Sequence, residues 1–389
     1  MEMNDSSILK IPLRRQIVAD ELFAYVNALS CFTILIFSIP SIFFNAINIA
    51  IFFKIGVSDS ITVCFLYLAL CDFCSMILTT LSASFQVLYV LGATSSKNFP
   101  IYSFNAALFY GLPLSLAAAT TTYIAVQRGL CVAWPFLTRH AFTRNRSLIV
   151  LIVISIILFV CWLPRAAAYR NVYMPDPAMN SSQILIVQFL GTWSPADSFY
   201  LISVRIALVF VQYMVMSVCA VAIAVGMRSS MKLKSATTTS FDNRSNSQNS
   251  ENAAVKENGS VSMEVKNVNT DLKSAPKRGS DKKIQQKVTK EMQVIKQAFV
   301  VVLVYVICTT PTIPTVIYRL VEPKFQVGAD YSNLMYVVFG LLNATEAVNA
   351  FINFFIYLNF NSKFRNCFGT VFNLRYFINS ETATGVFKK

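Results

Sequence analysis

Seven apolar runs, each about as long as a bilayer is thick, constrain this chain more than any other feature. They lie at roughly 30–53, 61–83, 104–127, 148–164, 199–226, 294–318 and 333–357. An uninterrupted apolar stretch of about 18 or more residues reads as a membrane-spanning helix. Lipid offers a backbone N–H or C=O no partner, so such segments must satisfy their hydrogen bonds internally. The expected fold is therefore an all-α membrane protein, a seven-transmembrane helix bundle. Charge agrees: 13% of the residues are charged, where a soluble domain carries about a quarter.

The net charge of +14 does not point to nucleic acid, because the positive residues cluster between particular spans. Arg139, Arg144 and Arg146 follow the third run, lysines from Lys232 to Lys290 separate the fifth from the sixth, and Lys363 and Arg365 follow the seventh. The segments 164–197 and 319–332 are balanced. The positive-inside rule then predicts a cytoplasmic C-terminus and an extracellular N-terminus. Residues 1–29 form the outer N-terminus and 30–357 the transmembrane domain. That domain is interrupted by a disordered cytoplasmic loop at 228–290, rich in Ser, Thr, Asn and Lys. Residues 358–389 form an amphipathic helix and a cytoplasmic tail.

Two sequons fall on the side assigned outside, at Asn4 and Asn180. The nine cysteines show no metal-ligand spacing, and most read as small apolar filler. With one histidine and no phosphate-binding loop, neither an enzyme nor a bound cofactor is expected.

Polar residues inside the runs carry the functional expectations. Asp72 falls near the bilayer midplane, where an ionisable group marks either a functional site or a neutral acid bonded to a neighbouring helix. Asn45 lies in the first run. The third run closes on Gln127-Arg128-Gly129, and Arg128 there is either a snorkelling anchor or a switch. The sixth contains Cys308-Thr-Thr-Pro311, where proline weakens the helical ladder. In the seventh, Asn343, Glu346, Asn349, Asn353 and Tyr357 recur every three or four residues. That spacing makes one polar face, which must turn toward the bundle. Beyond it Phe360, Phe364, Phe368 and Phe372 repeat every fourth residue, which reads as a short helix lying on the inner membrane surface. Cys367 beside that stripe is a palmitoylation candidate.

Taken together, these residues resemble the rhodopsin-like (class A) G-protein-coupled receptors. The resemblance rests on Asn45, Leu68-Ala-Leu-Cys-Asp72, Gln127-Arg128-Gly129, Cys308-Thr-Thr-Pro311, Asn353-Phe-Phe-Ile-Tyr357 and Phe364. The wording around Arg128 also resembles invertebrate, particularly molluscan, chemosensory receptors and FMRFamide-type peptide receptors. The resemblance implies a plasma-membrane receptor that binds an extracellular peptide or small molecule and activates a heterotrimeric G protein, with lipids around it. It implies a resting pair between Arg128 and Glu291, a hinge at Pro311, and a midplane cluster of Asn45, Asp72, Asn349, Asn353 and Tyr357. Sodium beside Asp72 is implied too, although Ala117 stands where the family often has a serine.

Other departures are Gln127 for the acid, Thr309 for a tryptophan, Phe354 for a proline, and Ser103 for the cysteine that usually ties down an outer loop. Tyr110 stands where amine receptors carry aspartate, and Ala347 where opsins carry the retinal lysine, so the resemblance argues against both classes. Tyr110, Arg205 and Glu346 are the ligand contacts it suggests. A ligand-gated channel or transporter, and a receptor-like protein that does not signal, are the rival readings.

Overall fold

The computed structural model describes residues 20–92, 99–134, 138, 141–167, 169–175, 183–189, 206–228, 278–325 and 329–373. Seven spans are present among them: α1 (Asp20–Ile55), α2 (Ser60–Val90), α3 (Phe99–Ala133), α4 (Arg144–Ala167), α5 (Ile206–Arg228), a sixth built from α6 (Arg278–Thr309) and α7 (Thr312–Val321), and α8 (Ser332–Phe360). A short helix α9 (Ser362–Val371) follows. Leaving α4 at the end of the bundle opposite Arg128, the chain forms an antiparallel hairpin of β1 (Tyr169–Pro175) and β2 (Gln183–Phe189), in register from Tyr169↔Phe189 to Pro175↔Gln183. We refer to the two ends as the Arg128 end and the hairpin end.

The hairpin was not expected from the sequence, which reads there as a loop of balanced charge. Val172, Ile184, Ile186 and Val187 supply β-branched side chains suited to paired strands. A second difference concerns the boundary of the polar loop. Helix α6 begins at Arg278, inside the segment 228–290, and so takes in the stretch from Lys282 to Lys296 whose charges already have a helical look leading into the sixth span. Residues 229–277 lie outside the described part.

Helix α2 is the most enclosed of the seven spans. It packs on α1 and α3, while α1 closes on α8 and α8 on α6. By contrast, α4 exposes Ile149, Ile152, Val153, Ile156, Ile157 and Val160. That three-and-four spacing makes a continuous apolar stripe, as a lipid-facing helix requires. Asp59 caps α2 by accepting the Thr62 N–H at 2.8 Å.

The sixth span is broken where the sequence places Pro311. Lacking an N–H, Pro311 cannot donate to the carbonyl one turn back. The α-helix stops at Thr309 and resumes at Thr312, with Ile313 N–H reaching the Thr310 carbonyl at 3.3 Å. Pro314 falls in the first turn of α7, where a missing N–H costs nothing.

Candidate functional site

The polar face of α8 does turn inward. Asn353 is buried and donates Nδ2 to Asp72 Oδ2 at 2.8 Å, which joins α8 to α2. Asn45 extends the contact to α1: its Nδ2 reaches the Ala350 carbonyl at 3.3 Å and the Ser41 carbonyl and hydroxyl at 3.0 and 3.1 Å. Buried polar groups need such partners, since each unmet one carries its full desolvation cost. Above this cluster Tyr110 donates its hydroxyl to Asn343 Oδ1 at 3.0 Å, which ties α3 to α8.

Between them lies a cavity of about 60 Å³. Asp72, Ser75, Thr121, Gln212, Glu346 and Asn349 supply its polar wall, and Tyr305, Thr309 and Thr312 line it from both sides of the break in the sixth span. Ser75 and Thr121 donate their protons to backbone carbonyls of their own helices. Their oxygens therefore remain to accept, and with Asp72 and Asn349 they suit a hard monovalent cation. Ala117, also on the wall, adds no oxygen. Among the described residues no group of three or more His, Cys, Asp or Glu side chains converges as a metal site would require.

At the Arg128 end, Gln127 behaves differently from the acid it was compared with. It is 2% exposed and turns toward α2, donating Nε2 to Ser60 Oγ at 2.6 Å while its Oε1 accepts the Cys64 thiol at 3.9 Å. Ser60 also bonds Ser147 of α4, which shares a hydrogen bond of 2.9 Å with Tyr123. Three helices are thus fastened by one uncharged network. The sequence reading did not foresee it, although three hydroxyl residues at the ends of these helices were a signal. Replacing Gln127 with leucine should remove a partner from both Ser60 and Cys64 and cost about 1–2 kcal/mol, read as a lower melting temperature of the purified protein. An unchanged melting temperature would mean that the network holds nothing together.

Arg128 itself is half-buried at the end of α3. Glu291 lies in helix α6, but its side chain is outside the described part, as are Arg205, Asn4 and Asn180. Two glycines bring α5 close to α3 here. A Cβ on Gly129 would sit 3.3 Å from Cys219, and one on Gly226 would overlap Val132 Cγ1. Ser103, at the place of the family's cysteine, is held to α2 by Ser82, whose hydroxyl reaches its carbonyl at 3.0 Å. All nine cysteines are free thiols.

Tyr357 is wholly buried, with its ring 5.2 Å from Phe52, 5.1 Å from Phe65 and 5.8 Å from Phe364. The short amphipathic helix expected after the seventh span is present, and part of its phenylalanine stripe packs on this core. Phe364 is 0% exposed and enters the bundle between α1 and α8, and Phe368 meets Phe354 at 5.7 Å. Phe372, one residue past α9, is exposed. Cys367 is half-buried against the same core. Lys363 reaches Asp59 at 3.4 Å. Burial pushes the Asp59 carboxyl up, but the Thr62 hydrogen bonds and the Lys363 charge outweigh it and hold the group below the usual carboxylate range.

The model of the 7 transmembrane receptor (rhodopsin family) matches residues 45–357, so the match begins at Asn45 of the midplane cluster and ends at Tyr357. The chain belongs to the rhodopsin family of seven-transmembrane receptors, and it is accordingly a multi-pass membrane protein. No individual curated protein matches it.

Proposed function

We propose that this receptor binds an extracellular ligand, a chemosensory cue or neuropeptide, and activates a heterotrimeric G protein at its Arg128 end. One observation carries the reading: the cavity wall includes residues on both sides of the broken sixth span. Whatever fills or empties that cavity bears directly on the hinge at Pro311, so occupancy shifts the balance between two positions of α6. Asp72 and Asn353, with Asn45 and Asn349 nearby, couple the cavity to Tyr357 and the Arg128 end, and the oxygens beside Asp72 would hold sodium. Exposed Lys54, Arg144, Arg146, Lys296 and Lys363 all flank the Arg128 end, which supports placing it in the cytoplasm. The N-terminus is then outside at the plasma membrane, with Asn4 and Asn180 available for glycosylation and Cys367 for palmitoylation.

In the resting state Arg128 pairs with Glu291 and keeps the inner ends of α3 and α6 together. Glu291→Ala should then raise ligand-independent activation of purified G protein about tenfold, the change expected for about 1.4 kcal/mol of lost restraint. Arg128→Ala should abolish activation while surface expression persists. Unchanged basal activity in the first variant would remove the ion pair from the mechanism.

A further inference from the structure

The sixth span is the least enclosed of the seven among the described residues. Along α6 the buried residues are Gln297, Ala298, Val301 and Val302. Three of these are apolar, and the remaining one is an amide. Gln297 is 0% exposed, and neither its Nε2 nor its Oε1 has a hydrogen-bond partner among the described residues. The helix explains why. Val294, Gln297, Val301 and Val304 recur at three and four residues, so they share one side of α6. All three valines pack in the core that holds Ile124, Phe354 and Phe364. That side therefore meets hydrocarbon, which offers the amide nothing. The Tyr357 hydroxyl belongs to the same core and is also unmet, so the two groups do not serve each other.

A glutamine amide carries two N–H donors and a carbonyl acceptor, and burying them without partners incurs the full desolvation cost of the group. That cost falls only on the arrangement in which α6 lies packed in the core. Once the Arg128 end of α6 moves away, water reaches the amide and the cost disappears. The valines act in the opposite sense, because their burial draws the helix in. We propose that Gln297 is a built-in bias on the sixth span, a buried amide that weakens the packed contact and lets α6 leave the core more readily than an apolar residue would. It opposes the Arg128–Glu291 pair, so that the two together set how far the receptor is active without ligand. The consequence for signalling rests on the reading in which α6 swings about Pro311. The bias itself is a property of the packed contact and needs no G protein.

The test uses the full chain in lipid nanodiscs, with opening of α6 read by the reaction of a buried thiol. Val301 is 2% exposed, so Val301→Cys gives a group that a water-soluble maleimide reaches only when α6 leaves the core. The chain without that substitution corrects for the native thiols. In the Val301→Cys background, Gln297→Leu should slow labelling about tenfold and raise the melting temperature. Gln297→Met, which keeps the unbranched shape, should do the same and carries the test should the leucine variant not fold. A glutamine that merely supported the fold would behave in reverse, with its loss lowering the melting temperature. Lower melting temperatures or unchanged labelling would overturn the bias. Basal activation of purified G protein should fall in step with labelling. If labelling slows while basal activation holds, the swing of α6 is not the activating step and the bias stands. If labelling is unchanged in a receptor that activates G protein normally, the bias fails and the receptor reading stands.

Discussion

Truncating Phe364 to alanine is expected to lower the stability of the purified receptor by about 3–5 kcal/mol, the usual range for deleting a wholly buried phenyl ring. The ring is 0% exposed and meets Phe52 at 5.3 Å, Tyr357 at 5.8 Å and Phe354 at 6.2 Å. Those neighbours come from α1 and α8, so little can collapse into the space left behind. The local backbone adds to the constraint. Asn361 caps α9 by accepting the Phe364 N–H at 3.1 Å, and Arg365 bonds the carbonyls that close α8. Without the ring α9 keeps its cap but loses its hold on the bundle, and Tyr357 loses one of its packing partners. Phe372→Ala is the matched control, since that ring is 45% exposed and its loss should matter within about 0.5 kcal/mol. Thermal unfolding of the two variants decides the point. Equal melting temperatures would show that α9 is held by its contact with lipid and not by the core.

A methyl group at Gly226 should be nearly as damaging, for the opposite reason. The added Cβ would occupy the position of Val132 Cγ1, and valine cannot step aside easily because its branched carbon fixes χ1 in a helix. Overfilling a packed contact costs about 1–3 kcal/mol, and here the relief available is for α5 to move away from α3 beside Arg128. Gly226→Ala should therefore lower the melting temperature and alter G-protein activation together. Val132→Ala in the same molecule should restore both, because it vacates the contested volume. Gly129→Ala should be milder, as its Cβ would meet Cys219 at 3.3 Å. If Val132→Ala brings no rescue, close approach of these two helices is not what Gly226 provides.

The elements most legible in the sequence are those whose cause is local. Apolar length gives the spans, and a proline without an N–H gives the break at Thr310 and Pro311. The recurrence of Asn349, Asn353 and Tyr357 puts them on one side of α8, and lipid leaves that side only the bundle to face. For the same reason Asp72 and Asn353 could be paired by depth alone. The phenylalanine repeat of α9 was visible too, but its period says only that Phe364 and Phe368 share a face. Which medium that face meets depended on Phe52 and Phe354, far away in the chain.

Gln127 illustrates the other limit. From the sequence it is an acid lost beside Arg128; in the fold it belongs to a network that joins α3 to α2 and α4. Cys64 and Ser60 come from 67 or fewer positions away and Ser147 from further along, and no periodicity links them. The cavity is a stronger case still. That Ser75 and Thr121 offer oxygens inward follows from where each hydroxyl proton goes, and that is settled by rotamer and helix placement.

The sequence by itself determined that this chain crosses a membrane seven times and where its polar residues must avoid lipid, because hydrophobic length and helical period act within single segments. Only the tertiary structure decided which polar groups meet and where Phe364 points, because those depend on how separate helices approach and rotate against one another.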